Sequence, residues 1–129
     1  MNYNLLNFCE CDKYAIKSYC VVHNEDENKN LGDITQVDVN KLPTNVDFIT
    51  TGSPCQSFSI LGNGEGGVRG SGTKSSLMWY NIEIIKHCKP KFTLWENVKN
   101  ILSTRHKPVF DEYLLEMKKS GYNSYYQPI

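Results

Sequence analysis

The sequence is short of the features that most quickly assign a chain to a class. Neither sign of charge is in surplus: 14 Lys and Arg balance 14 Asp and Glu over 129 residues, with a pI near 6.8. That balance argues against a polyanion binder held by its overall charge. No apolar run approaches 18 residues and no basic-then-apolar leader opens the chain, so neither a membrane span nor a secretory signal is read. Five cysteines are an odd number without framework spacing. This excludes a disulfide scaffold and fits a reducing compartment, so the expectation is a soluble, cytoplasmic protein. There is no internal repeat, low-complexity tract or linker. The length suits one domain, which buries roughly two-thirds of its unfolded surface and so has a core of little margin.

What is present is unevenly placed. Six of the nine glycines fall between Gly62 and Gly72. Six Lys or Arg lie from Lys86 to Lys107 against one acid, Glu96. That run serves equally as a solvated face or as a phosphate contact. Asn24-Glu25-Asp26-Glu27-Asn28 reads as a surface turn.

The order of elements follows from period and punctuation. Residues 5–10 (LLNFCE) form a short apolar run that predicts a strand. Asp12 can cap a helix with Ala15, Ile16, Tyr19 and Cys20 on its inner face. VDFITT (46–51) predicts a second, buried strand. A helix from Ser75 or Ser76 places Leu77, Met78, Ile84, Ile85 and Cys88 inward and stops at Lys89-Pro90. KFTLWE (91–96) predicts a third strand. Pro108 opens a helix with Val109, Phe110, Tyr113, Leu114 and Met117 inward, closed by Lys118, Lys119 and Gly121. YNSYY (122–126) predicts a last strand. Strands alternating with helices imply a mostly parallel α/β sheet.

In such sheets ligands bind beyond the carboxyl ends of the strands. Glu10 ends the first predicted strand, Cys55 follows the second in TGSPCQSFS, and Glu96 ends the third. A cysteine on a turn at a strand exit is placed to be reached, and exposure near backbone N–H groups favours its thiolate. A thiolate paired with a carboxylic acid suits conjugate addition to an unsaturated ring. The sulfur adds to carbon, and the acid serves a ring nitrogen if burial behind the apolar run keeps it protonated. A Cys–His hydrolase using His23, His87 or His106 is the weaker alternative, since none of these lies at a strand end.

Two other patterns are set aside. GNGEGG (62–67) formally matches G-x-G-x-x-G but neither closely follows a strand nor opens a helix. The Gly62–Gly72 stretch reads instead as a lid loop or a plain surface loop. Cys9, Cys11, Cys20 and His23 are poorly spaced for zinc and fall where cysteine acts as a small apolar residue, so no metal site is expected.

GSPCQSFS followed by ENV resembles the C5-cytosine DNA methyltransferases. FCECDKYA (8–15), GDIT (32–35) and KPKFTLWENVKN (89–100) resemble that family's segments in the same order. The resemblance implies a Rossmann-like S-adenosylmethionine-dependent methyltransferase fold, a mostly parallel sheet flanked by helices, here incomplete. It implies DNA (cytosine-5)-methyltransferase activity on double-stranded DNA, with Cys55 attacking C6 of a flipped-out cytosine and Glu96 serving N3. Glu10, Cys11, Asp33, Ile34, Pro54 and Leu77 would line the S-adenosylmethionine site. Gln56, Ser57, Ser59, Arg69, Lys74, Asn97 and Val98 would meet the DNA, the loop from Ser57 to Lys74 folding over the flipped nucleotide.

The family's glycine-rich cofactor loop, its arginine-bearing segment and its target-recognition region have no counterpart here. Residues 1–129 are therefore expected to be the central part of a catalytic domain, inactive alone. The alternative is a non-catalytic or split-enzyme subunit needing a complementary chain.

Overall fold

The computed structural model describes residues 2–58 and 66–129. The chain divides into two compact units, Met1–Asp38 and Val39–Ile129.

The first unit is organised by its caps. Asp12 accepts from the N–H groups of Tyr14 and Ala15 at 2.9 and 2.8 Å, satisfying donors that open helix α1, Lys13–His23. The helix ends on Asn24 in the left-handed region (φ 51°), whose N–H returns to the Cys20 carbonyl. Ala15, Ile16, Tyr19 and Cys20 are the residues of α1 turned inward, each half-buried, and Tyr19 packs on Phe8 with ring centroids 4.7 Å apart.

Residues 5–10 do not form the strand expected of them. Phe8 makes a single parallel bridge to Asn30, bonding Lys29 and Leu31 on either side. A strand exists only through a neighbour, and here that pairing ends after one bridge. Cys9 and Cys11 are accordingly exposed rather than apolar packing. Two 3₁₀ turns follow, Glu27–Lys29 and Ile34–Gln36, capped by Asp26 and Asp33.

The second unit holds the sheet. Strands β1 (Phe48–Gly52) and β2 (Phe92–Glu96) pair in parallel, in a register running from Phe48↔Phe92 to Gly52↔Glu96. The crossover between them carries helix α2, Met78–Cys88, entered through a 3₁₀ turn, Lys74–Leu77. Thr73 caps that turn by accepting from the Ser76 N–H, so the α-helix begins a few residues later than the sequence suggests. α2 buries Trp79, Asn81 and Ile82 beside Met78, Ile85 and Cys88, a wider face than expected, with Ile84 only half-buried. It stops at Lys89 (φ 48°) before Pro90.

Helix α3, Lys107–Lys119, starts with Pro108 in its first turn and buries Phe110, Tyr113 and Met117. Its end is a Schellman arrangement: Gly121 (φ 95°) donates to Lys118 and Tyr122 to Met117. The predicted strand at 122–126 does not form, because among the described residues nothing pairs with it. Tyr122 instead donates its hydroxyl to the Pro90 carbonyl at 2.7 Å, and Tyr126 meets Phe110 edge-on.

The two helices cover one face of the sheet. Phe58, Met78, Trp79, Ile82, Ile85, Ile101, Phe110, Tyr113 and Met117 form the core there, with Ile49 and Trp95 packed against it from the strands. The strands are not buried on both faces as their apolar runs suggest. On the other face Phe48, Phe92 and Leu94 stay 51, 69 and 58 % exposed.

Candidate active site

Both strands end at the same edge of the sheet, and their last residues are partners: Gly52 of β1 pairs with Glu96 of β2. Cys55 follows Gly52 by three residues. The register thus sets the Cys55 turn beside the carboxylate that closes β2. A Cβ added to Gly52 would lie 3.7 Å from Glu96 Oε2, an ordinary contact, so Gly52 marks the closeness of the carboxylate without being required by it. Glu96 itself is exposed, not buried as the sequence led one to expect, because no element among the described residues covers that face. Cys55 is half-buried.

The turn that carries Cys55 is pinned from behind. The Phe58 N–H donates to the Cys55 carbonyl at 2.9 Å. The Ser57 N–H donates to Ser75 Oγ at 3.1 Å, and the Ser57 carbonyl accepts from Gly66 at 2.8 Å. Asn100 donates to the Phe58 carbonyl. The Phe58 ring is fully buried and sits edge-on to His106, centroids 5.2 Å apart. Two glycines close over it. A Cβ at Gly66 would come within 3.1 Å of His106 Nδ1, and one at Gly67 within 2.5 Å of Phe58 Cζ. Burial, with Arg105 adding to it, holds the His106 imidazole below its ordinary range, so His106 serves packing. His87 bonds the Leu42 carbonyl, and His23 pairs with the Tyr3 hydroxyl.

At the strand exit, Ser53 is held from β2. Its Oγ accepts from the Trp95 indole N–H at 2.9 Å and from the Asn97 amide at 3.3 Å. Asn97 and Val98 are half-buried, and Asn97 Oδ1 caps the Val98 N–H at 2.9 Å.

The remaining expected DNA contacts are divided. Pro54, Gln56 and Lys74 are exposed at the surface of the second unit. Ser57 is buried beneath it. Arg69 lies over the Trp79 ring at 4.5 Å and within 3.8 Å of Glu116, so its guanidinium is engaged inside the chain. Ser59 lies outside the described residues, as does most of the glycine stretch at 62–65. Leu77 is half-buried at the mouth of α2.

Glu10, Cys11, Asp33 and Ile34 belong to the first unit. Glu10 Oε1 accepts from the N–H groups of Cys11 and Asp12 at 2.7 and 2.9 Å, which orients the carboxylate. Asn30 holds the Glu10 backbone through both its carbonyl and its N–H. Asp33 Oδ1 accepts from the Thr35 N–H and hydroxyl, which lowers the Asp33 pKa. Desolvation, then the charges of Asp33 and Glu10, push the Cys11 thiol up. Glu10 and Asp33 thus give Cys11 acidic surroundings.

Phe58, Gly67, Ser53 and Trp95 were not foreseen as site residues, and His106 only as a base. Their only sequence signals are an aromatic inside a Ser-rich turn, a Gly-Gly pair and the Ser directly before Pro-Cys.

A parallel α/β unit with a cysteine and a carboxylic acid at adjoining strand ends is the class that fold and site define. The profile of the C-5 cytosine-specific DNA methylase family matches residues 1–128, and the chain belongs to that family. It is 46 % identical over 99 residues to the type II methyltransferase M2.ScrFI of Lactococcus lactis subsp. cremoris, covering 77 % of this chain and 27 % of that protein. It is 43 % identical over 103 residues to the orphan methyltransferase M.SPRI of Bacillus phage SPR, covering 80 and 23 %. With M.HaeII of Haemophilus aegyptius it shares 37 % identity over 119 residues, covering 92 and 35 %. The chain thus spans about a quarter to a third of the length of these curated relatives.

Proposed function

We propose that this chain carries the nucleophile and the acid of a DNA (cytosine-5)-methyltransferase acting on double-stranded DNA. The observation that most supports this is the pairing of the Cys55 strand exit with the Glu96 strand end, in a member of the family. The Cys55 thiolate adds to C6 of a cytosine turned out of the helix, which is unreachable while stacked. Glu96 donates to N3 and so takes up the charge that the addition pushes into the ring. C5 becomes nucleophilic and accepts a methyl group. Loss of the C5 proton to a base then lets the C6–S bond break, returning the Cys55 thiolate. Pro54 stiffens the turn that presents the thiol.

S-adenosylmethionine, when bound, supplies the electrophilic methyl on a sulfonium sulfur. The acidic side chains of the first unit suit it: Glu10 has one oxygen fixed by backbone N–H groups and the other left for a ribose hydroxyl. Asp33 and Ile34 offer an acceptor and an apolar edge for an adenine, beside Cys11. Gln56, Lys74, Asn97 and Val98 are the surface on which the DNA strand and its flipped base rest. Ser59, and Ser57 and Arg69 if released from their present partners, extend it.

Duplex DNA containing 5-fluorocytosine tests this, because fluorine blocks the last elimination and keeps the nucleophile attached. A denaturant-resistant adduct formed with S-adenosylmethionine by the wild type, and lost in Cys55→Ser, is the expected result. Residues 1–129 correspond to the central part of a catalytic domain, and the bare sheet face favours a second reading. In that reading the chain traps no DNA alone and does so once a complementary chain covers Phe48, Phe92 and Leu94.

A further inference from the structure

The hydroxyl of Ser53 has two lone pairs, and both are taken by N–H donors from β2 and the residue just past its end. Those donors, Trp95 and Asn97, stand on either side of Glu96. Trp95 is not a floppy donor. Its ring stacks on the buried Tyr113 of α3, centroids 4.1 Å apart and 26° from parallel, and faces Phe110 at 6.2 Å. Tyr113 in turn touches Trp79 of α2 at 5.8 Å. The indole N–H is therefore fixed by the helical layer, and it grips the residue two positions before the nucleophile.

Resting on the cytosine methyl-transfer reading, we propose that Trp95 is a positioning residue: its indole N–H, with the Asn97 amide, clamps Ser53 and so holds the Cys55 turn against the strand end that bears Glu96. The turn is tied from behind by Phe58, but Phe58 fixes only its far side. Among the described residues, no side-chain hydrogen bond other than the clamp holds the near side, Ser53-Pro54. Covalent attack demands the sulfur and the acid in one geometry, so a small loss of registry costs rate rather than affinity.

The test uses the full chain in three readouts. In Ser53→Ala the Trp95 indole N–H should exchange with solvent roughly fivefold faster, as expected for one lost neutral hydrogen bond. The Trp79 indole, bonded to the Gly67 carbonyl at 2.7 Å, should not change. Alkylation by iodoacetamide, mapped by peptide, should rise roughly fivefold at Cys55 by the same reasoning. Buried Cys88 should stay protected. Trp95→Phe keeps the stack, drops the donor and should match Ser53→Ala; the double variant should be no worse than either. Ser53→Thr restores the acceptor and should restore both rates. On 5-fluorocytosine DNA, adduct formation at saturating DNA should slow by a similar factor, with the half-saturating DNA concentration unchanged.

Equal Cys55 alkylation in wild type, Ser53→Ala and Trp95→Phe overturns the clamp, as does a parallel rise at Cys88, which would mean general loosening. A wild type that forms no adduct counts against methyl transfer by this chain alone and favours the split-subunit reading, while exchange and alkylation still decide the clamp. An adduct whose rate Ser53→Ala leaves unchanged overturns the clamp alone.

Discussion

Replacing Gly67 by alanine isolates a steric effect from a conformational one. Gly67 does not lie in the left-handed region, so on backbone grounds alanine should help by about 0.4–1 kcal/mol through the unfolded chain. The neighbours decide otherwise. The new Cβ would sit 2.5 Å from Phe58 Cζ and 2.9 Å from the Ser75 carbonyl oxygen. One is the tip of a fully buried ring and the other is backbone, so neither can swing away. Overpacking of this kind costs about 1–3 kcal/mol, more than the entropic gain. For a chain of this size about 1 kcal/mol corresponds to roughly 3–5 °C in melting temperature. Circular dichroism melts should therefore show Gly67→Ala several degrees below wild type. Phe58→Leu shortens the ring, so the double variant Gly67→Ala/Phe58→Leu should lose less than the sum of the two singles. Gly70, at φ +75° with nothing within 4 Å, should show only the strain of a left-handed alanine, about 1 kcal/mol. A Gly67→Ala melt within a degree of wild type would refute the closure of these glycines over Phe58.

His106 sets a pH response. Its folded pKa lies below the unfolded value of about 6.5, so the unfolded chain takes up a proton first. Stability is complete above that value and falls as pH drops through it toward the folded pKa. Denaturant midpoints across pH 7.5 to 5 should record that fall, and His106→Gln should flatten this part of the curve. Asp12→Ala removes the side-chain acceptor of two α1 N–H groups and should cost about 1 kcal/mol; faster amide exchange confined to the first turn of α1 reports it. Phe92→Thr with Leu94→Thr should leave the melting temperature nearly unchanged, because both are exposed, while reducing binding of a hydrophobic dye and self-association seen by light scattering.

Local rules made α1 and α3 legible from the sequence. Asp12, the half-buried face of Ala15, Ile16, Tyr19 and Cys20, Pro108 and Gly121 all act within a few residues of themselves. The strands were legible only where a partner exists: 48–52 and 92–96 find each other, whereas 5–10 and 122–126 have comparable side chains and no ladder. Cys55 and Glu96 could be picked out because a strand exit is a local feature. That they adjoin rests on the Gly52↔Glu96 register, which no single segment encodes. Phe58 was hidden for a related reason. A phenylalanine amid serines reads as loop, and only the approach of Gly66 and Gly67 from a later segment makes it core. Arg69, read as a phosphate contact, is exposed but engages Trp79 and Glu116, ten and 47 residues further along the chain.

The alternation along β2 has a further consequence. Successive side chains leave a strand on opposite sides, so Trp95 feeds the interior while Glu96, one step on, faces outward. Pairing β2 one residue out of step with β1 would exchange them, sending the indole to the reaction side and a carboxylate into the hydrocarbon layer. Correct alignment of two five-residue strands is thus a chemical specification as well as a folding one. A misaligned molecule could keep its helices and its compactness, pass as native by bulk spectroscopy, and still lack the carboxylate that the proposed chemistry needs beside Cys55.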